Sequence, residues 1–372
     1  MRFAPPDAVD ASLVRRILVI KLRHHGDVLL ASPVFTVLKN AIPGAEIDAL
    51  VYAETAPMLE DHPAIARLHT IDRSWKRQGL FVQARSEIAL LRALAARRYD
   101  LVVHLTEHPR GAWLTRLLRP RYAVARELPG AHWLWRASFS HYYRLPRGTP
   151  RHTVECNLDA LRRLGLQPAQ DERRLVLVPG VASAARAAAL MAQHHIEAQR
   201  FIQLHPGSRW MFKCWTPERY AGLIDRLVAE GWRIVITGAP DARERQLADA
   251  ILGALADASR ASVIDLVGQV SLRELAALTC EARLFVGVDS APMHIAAAVA
   301  TPVVALFGPS GEIEWGPWRV ANRVIASADH PCRPCGIDGC GGGKVSDCLT
   351  TLPVERVHAA VRTLLAETAA AP

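Results

Sequence analysis

Short apolar runs alternate with amphipathic stretches along almost the whole chain, and their order predicts α/β units. Ile17–Ile20 is a fully apolar four-residue run, the mark of a strand buried on both faces. Gly26-Asp27 then opens a helical pattern with Val28, Leu29, Val34, Val37 and Leu38 on one side; Pro33 falls early enough to be tolerated, and Pro43-Gly44 ends it. Glu46–Val51 is predicted as the next strand, 84–98 as an Arg- and Ala-rich helix, and Leu101–Val103 as a third strand. Residues 110–150 hold Trp113, Trp133, Trp135, Tyr142, Tyr143 and many arginines, break this alternation, and are expected to be an insertion or an irregular end of the first domain. Helices are predicted at 153–165 and 181–199.

The grammar then restarts. Strands are predicted at Phe201–Leu204, Trp232–Thr237, Ser262–Leu266, Leu284–Val288 and Pro302–Phe307. Helices fall between them at Pro217–Glu230, Arg243–Leu255, Ser271–Thr279 and Pro292–Ala300, and Ser271 with Glu274 forms a capping box. The pattern predicts two doubly wound, Rossmann-like α/β domains, set at residues 1–185 and 186–350, with a C-terminal helix over 351–372 that packs back on the first domain.

Length agrees, because 372 residues exceed one ordinary core. Half the residues are hydrophobic and 22% are charged, which excludes a disordered chain. The net charge of +9 is uneven: residues 1–180 carry 27 Lys/Arg against 17 Asp/Glu, the rest 18 against 19. A basic first half expects an anionic partner. No signal-peptide pattern and no run of about 20 apolar residues is visible, so a cytoplasmic protein is expected, with attachment to a membrane surface open.

Cys332, Cys335, Cys340 and Cys348 form C-x2-C-x4-C-x7-C. Four thiols at this density are a zinc pattern to weigh. The gaps do not match paired C-x2-C knuckles, so the favoured reading is a Gly-rich surface loop of reduced or opportunistically bridged cysteines, with no metal and no cofactor.

In open α/β sheets, ligands bind beyond the C-terminal ends of strands. Four such loops stand out. In Lys21–Asp27, Asp27 is either a helix-start carboxylate or a general base beside Lys21, Arg23, His24 and His25. In His205–Trp215, Gly207 permits close backbone approach, Ser208 offers a hydroxyl, and Lys213 a cation; the composition suits phosphate, although no Walker motif is present. In Thr237–Glu244, Glu244 suits a ribose diol or simply the helix dipole. In Gly287–His294, Asp289 and Ser290 stand at a helix start fit for an anion, with His294 in the first turn.

Taken in order, these loops resemble the ADP-heptose:lipopolysaccharide heptosyltransferases, glycosyltransferase family nine. The carriers are "ILVIKLRHHGDVLLASPVFTVLKNAIPGAEIDALV", "LHPGSRWMFKCW", "VITGAPDARERQLA" and "FVGVDSAPMHIAAAVATPVVALFGPSGEIEWGPW", which run in order from about residue 15 to 320. The tail "PCRPCGIDGCGGGKVSDCL" resembles the heptosyltransferase III branch. The resemblance implies a GT-B fold, two Rossmann-like domains facing a central cleft, acceptor on the first and nucleotide sugar on the second. It implies inverting, metal-independent transfer of L-glycero-D-manno-heptose from ADP-heptose to the lipopolysaccharide inner core. By position, it makes Asp27 the catalytic base. It assigns Ser208 and Lys213 to the diphosphate, Lys213 acting in catalysis as well, Glu244 to the ribose, and Gly207, Asp289, Ser290 and His294 to the donor.

Where the family commonly has Ser-x-Gly-Asp, this chain has His24-His25-Gly26-Asp27, and Arg23, His24 and His25 are the expected acceptor contacts. The arginines of the basic half suit an anionic acceptor at the inner-membrane surface, and no recognised nucleic-acid module appears. The alternatives are a GT-B transferase using another nucleotide sugar, or a non-catalytic nucleotide- or lipopolysaccharide-binding protein on the same scaffold.

Overall fold

The computed structural model describes residues 5–145, 148 and 150–369; the ends of the expected domain ranges, 1–4 and 370–372, lie outside the described residues. The chain forms two units, Met1–Val178 and Pro179–Pro372, each built on a six-stranded parallel sheet.

In the first unit the strands are β1 (Arg16–Ile20), β2 (Glu46–Tyr52), β3 (Arg67–Ile71), β4 (Leu101–His104), β5 (Tyr122–Arg126) and β6 (His141–Tyr143). Their order is β3-β2-β1-β4-β5-β6, so the topology reverses between β1 and β4. The helices are α1 (His25–Leu29), α2 (Ser32–Ala41), α3 (Leu80–Arg97), α4 (Pro109–Leu118), α5 (Trp133–Ser138) and α6 (Thr153–Arg163). Helices α3, α4 and α5 are neighbours, as are α2 and α6. Beneath the first set, Leu90 and Leu94, Ala112 and Leu114, and Trp135 share one core with Leu18, Ile20 and Val102.

Residues 110–150 correct the sequence expectation. They contain α4, β5, α5 and β6, regular βα units that extend the sheet by two strands. Their pattern was hidden because α5 and β6 span only six and three residues, and α4 exposes Trp113 and Leu117 instead of burying a clean stripe. Strand β3 was also missed: Arg67-Leu68-His69-Thr70 is at most half-buried at the sheet edge.

The second unit repeats the plan. Its strands are β7 (Phe201–His205), β8 (Arg233–Ile236), β9 (Val263–Asp265), β10 (Leu284–Val288), β11 (Val303–Phe307) and β12 (Asn322–Ala326), in the order β12-β11-β10-β7-β8-β9. Helices α7 (Val181–Gln193), α8 (Pro217–Ala229), α9 (Ala242–Gly253), α10 (Asp257–Arg260), α11 (Leu272–Glu281) and α12 (Ala291–Ala298) connect or flank them. Three more, α13 (Glu312–Trp315), α14 (Asp347–Thr350) and α15 (Val354–Ala369), follow β11. The capping box of Ser271 and Glu274 is formed on α11.

Helix α15 buries Val357, Val361 and Leu364 in the core of the second unit, against α8, β11 and β12. The Trp215 indole N–H donates to Leu352 O at 3.0 Å and fixes the approach to it.

Candidate functional site

Because both sheets are parallel, every loop that follows a strand leaves the same edge. In the first unit the switch point between β1 and β4 is held by Lys21. The side chain is buried, and Nζ donates to Leu105 O at 3.1 Å and to Asn157 Oδ1 at 3.0 Å. Asn157, on α6, donates onward to Leu30 O, and Leu22 N donates to Thr106 Oγ1, which ties the two loops together. Burial holds the Lys21 ammonium down to about 8, while the nearby charge of Asp27 works in the opposite direction.

Asp27 lies in the first turn of α1, half-buried, and makes no hydrogen bond or ion pair among the described residues. It is not the helix cap: that position is His24, whose side chain makes no capping bond. The His25 ring donates from Nε2 to Glu54 O at 2.7 Å, which fixes one acceptor candidate in place. Arg23 is exposed beside them.

In the second unit, β7 lies between β10 and β8, so their three following loops meet at one edge. Lys213, on a single 3-10 turn, reaches Asp289 after β10; Nζ and Oδ2 are 2.6 Å apart. Asp289 is buried, and this pair spans the β7/β10 switch point. Ser290 is the N-cap of α12, yet its hydroxyl makes no cap bond and is buried without a hydrogen-bond partner among the described residues. An uncommitted buried hydroxyl at a helix N-terminus is suited to receiving a ligand oxygen. His294 is buried in the first turn of the same helix. Ser208 is buried, and its hydroxyl accepts from Trp210 N at 3.3 Å, shaping the loop.

Glu244 sits under two glycines. A Cβ on Gly207 would lie 2.5 Å from Glu244 Oε2, and one on Gly238 would lie 3.2 Å away. Gly207 therefore accommodates a carboxylate of its own protein, a contact that the spacing alone did not reveal. Oε2 accepts from Ala239 N at 2.7 Å, and burial pushes the Glu244 carboxyl above the usual range. His205 Nε2 is 3.7 Å from the same oxygen. Nδ1 of His205 pairs with Thr237 Oγ1 at 3.0 Å, and burial holds the imidazole down to about 4, so it is neutral at pH 7.

Sequence reasoning named Lys21 only as a charge beside Asp27, and did not single out His205 or Thr237 as site residues. The available signal was position: Lys21 and His205 stand at the C-terminal ends of the central strands β1 and β7.

The four-cysteine tail is distributed differently. Cys348 is buried, Cys332, Cys335 and Cys340 are exposed, and Asp347 N donates to Cys340 Sγ at 3.4 Å. Among the described residues no group of three or more His, Cys, Asp or Glu is placed to hold a metal ion.

The profile of glycosyltransferase family 9 (heptosyltransferase) matches residues 88–345. The chain is 34% identical over 352 residues to lipopolysaccharide heptosyltransferase 3 of Escherichia coli K12, covering 94% of this chain and 97% of that protein. The crystal structure of a family 9 glycosyltransferase from Veillonella parvula superposes with a TM-score of 0.80 at 25% identity, covering 95% and 97% of the two chains. The structure of E. coli ADP-heptose lps heptosyltransferase II gives 0.76 at 22% identity, covering 95% of this chain and all of that one. Two parallel six-stranded sheets with the topology of Rossmann folds give the chain the GT-B fold expected from its sequence. With the profile covering most of its length and the relative matching nearly all of it, this chain belongs to glycosyltransferase family 9, the heptosyltransferases.

Proposed function

We propose that the chain is an inverting, metal-independent transferase that moves L-glycero-D-manno-heptose from ADP-heptose to the inner core of lipopolysaccharide. Asp27 is its general base. The observation that carries this reading is the state of Asp27: a half-buried carboxylate at the switch edge of the first sheet, uncommitted among the described residues, in a family 9 chain.

Inversion requires in-line attack by an acceptor hydroxyl on the anomeric carbon. A carboxylate within hydrogen-bond reach takes the hydroxyl proton as the new C–O bond forms, while the bond to ADP breaks with both electrons leaving on the phosphate. The transition state has oxocarbenium character, as in glycoside hydrolysis. Charge accumulating on the diphosphate is met by Lys213, which Asp289 holds in position, and by the Ser290 end of α12. Ser208 and Gly207 shape the loop around the diphosphate, Glu244 faces the ribose, and His294 lines the donor site. Arg23, His24 and His25 contact the acceptor. The protein works at the cytoplasmic face of the inner membrane, attached peripherally.

Asp27→Asn keeps the shape and removes the base. Turnover is expected to fall about 10²- to 10⁴-fold, read by mass spectrometry of ADP-heptose transfer to truncated cores, with donor affinity by calorimetry unchanged. Near-normal turnover removes Asp27 from the mechanism. Lys213→Ala is expected to weaken donor binding in the same calorimetric measurement, and unchanged affinity removes Lys213 from the donor site.

A further inference from the structure

The exposed apolar residues of this protein are not scattered. Among the described residues, seven of the thirteen large hydrophobic side chains that face solvent fall between residues 80 and 133. They are Leu80, Phe81, Val82 and Ile88 on α3, Trp113 and Leu117 on α4, and Trp133 on α5. Phe81 is 94% exposed and Leu80 83%, while both tryptophans exceed half. The three helices are neighbours, and each is clearly sided: Leu94, Leu114 and Trp135 go into the core under the same helices. Trp113 and Leu117 are one turn apart on a single outward stripe.

Topology puts much of this surface at one place. Helices α4 and α5 each follow a strand of a parallel sheet, and α3 follows β3 through a short turn, so all three begin at the edge that carries Lys21 and Asp27. Leu80 and Phe81 open α3, Trp133 opens α5, and Trp113 lies in the second turn of α4. An apolar rim therefore borders the Asp27 edge.

Charge identifies what this rim meets. Residues 73–138 contain thirteen Lys/Arg against four Asp/Glu. Three of the four acids are already committed, Glu87 to Arg110, Glu107 to Arg126 and Glu127 to Arg144. Exposed Arg77, Arg85, Arg116, Arg119 and Arg136 make no ion pair among the described residues. Exposed aromatics flanked by unneutralised arginines match the interfacial zone of an anionic bilayer, where rings sit at the headgroup level and cations meet phosphates. A second copy of this face is disfavoured, since two such surfaces would oppose like charges. No described helix is long and apolar enough to cross a membrane, so the contact is one of lying on the surface.

We propose that the outer face of α3, α4 and α5 docks on anionic phospholipid bilayers through Phe81, Trp113 and Trp133, presenting the Asp27 edge to a lipid-anchored acceptor. The proposal deepens the functional reading above and rests on it for the acceptor.

The test is co-sedimentation of the full chain with vesicles of phosphatidylcholine alone or mixed with phosphatidylglycerol. The wild type is expected to bind the mixed vesicles, to release in high salt, and to bind phosphatidylcholine poorly. Phe81→Ser/Trp113→Ser/Trp133→Ser, with every arginine retained, is expected to bind the mixed vesicles at least about tenfold more weakly. Circular dichroism checks that the variant is folded. Its transfer to a soluble, delipidated core acceptor is expected to stay at the wild-type rate, while transfer to acceptor embedded in vesicles falls. Equal vesicle binding by wild type and variant overturns the docking surface, as does absence of wild-type binding. A wild-type dimer that the triple substitution splits, without vesicle binding, assigns the face to self-association and also overturns it. Failure of the wild type on the soluble acceptor strikes the functional reading and leaves the vesicle result to be judged separately.

Discussion

An added methyl group at Gly207 would collide with Glu244 Oε2 at 2.5 Å and with the rest of that carboxyl group. The glycine is therefore required by a side chain that arrives from α9, 37 positions later in sequence. Gly207→Ala is expected to displace Glu244 and cost about 1–3 kcal/mol, the range for overpacking a filled site. In a Glu244→Ala background the same substitution should cost almost nothing, so urea unfolding of the four proteins of the cycle isolates the clash. Additive losses would mean that Gly207 matters for another reason. Lys21 offers a second residue-level test. Its ammonium is held down to about 8 from an ordinary 10.5, so between those pH values the unfolded chain binds more protons than the folded one. Stability from this group therefore rises as pH climbs from 8 to 10.5. Measured against Lys21→Met, the wild type should gain roughly 3 kcal/mol across that window. A flat difference would show that the Lys21 amine is hydrated in solution.

At the scale of elements, legibility followed burial. The central strands β1, β10 and β11 carry the continuous apolar runs Ile17–Ile20, Leu284–Val288 and Val303–Phe307, and β7 is apolar but for buried Gln203 and His205, so burial announces them. The edge strands β3 and β12 carry no such announcement, unlike β9 at the far edge of the second sheet, which the run at Ser262–Leu266 marks. Every residue of β12 is half-buried, and β3 alternates weakly, so both read as loop. The loops that carry the candidate residues could be located for a related reason: each follows a well-marked interior strand. What sequence alone withheld was pairing, such as Lys213 with Asp289 and Glu244 beneath Gly207, because it joins segments far apart in the chain.

One element-level contact lies away from the site. Asp48 on β2 is fully buried, and burial alone would raise its carboxyl; bonds from His69, Arg97 at the end of α3 and Tyr99 outweigh this and hold it at about 2. The lowered value gives stability that is present above pH 4 and lost as pH falls toward 2, about 2 kcal/mol in all. Arg97→Leu strands a buried carboxylate and is expected to cost about 3–5 kcal/mol at pH 7. The gap to wild type should narrow as pH drops from 4 to 2, because the variant holds Asp48 protonated earlier. Acid unfolding curves of the two proteins decide it; a gap independent of pH would assign the cost to packing alone.

At the scale of the whole molecule, the two units carry separate cores and separate charge. Leu18, Ile20 and their neighbours draw on the first unit only, and the cluster around Ile202, Tyr220 and Leu364 on the second only. The division falls between Val178 and Pro179, a few residues before the expected one at 185, because Ala187, Leu190 and Met191 of α7 pack with Phe201 and Leu278. That expected boundary would have cut through α7. The basic excess resides in the first half, whereas Lys213, Asp289 and Ser290 belong to the near-neutral second. If the donor site is complete within the second unit, residues 179–372 produced alone should fold and bind ADP with an affinity close to that of the full chain. Residues 1–178 should not bind it. Salt should then separate the two substrates in the intact enzyme, since attraction between an exposed basic surface and an anionic acceptor is screened within about 10 Å at 0.1 M. Acceptor KM is expected to rise with ionic strength much more steeply than ADP affinity falls. A folded second unit without ADP binding would move part of the donor site into the first half, and equal salt dependence would remove the link between basic charge and acceptor.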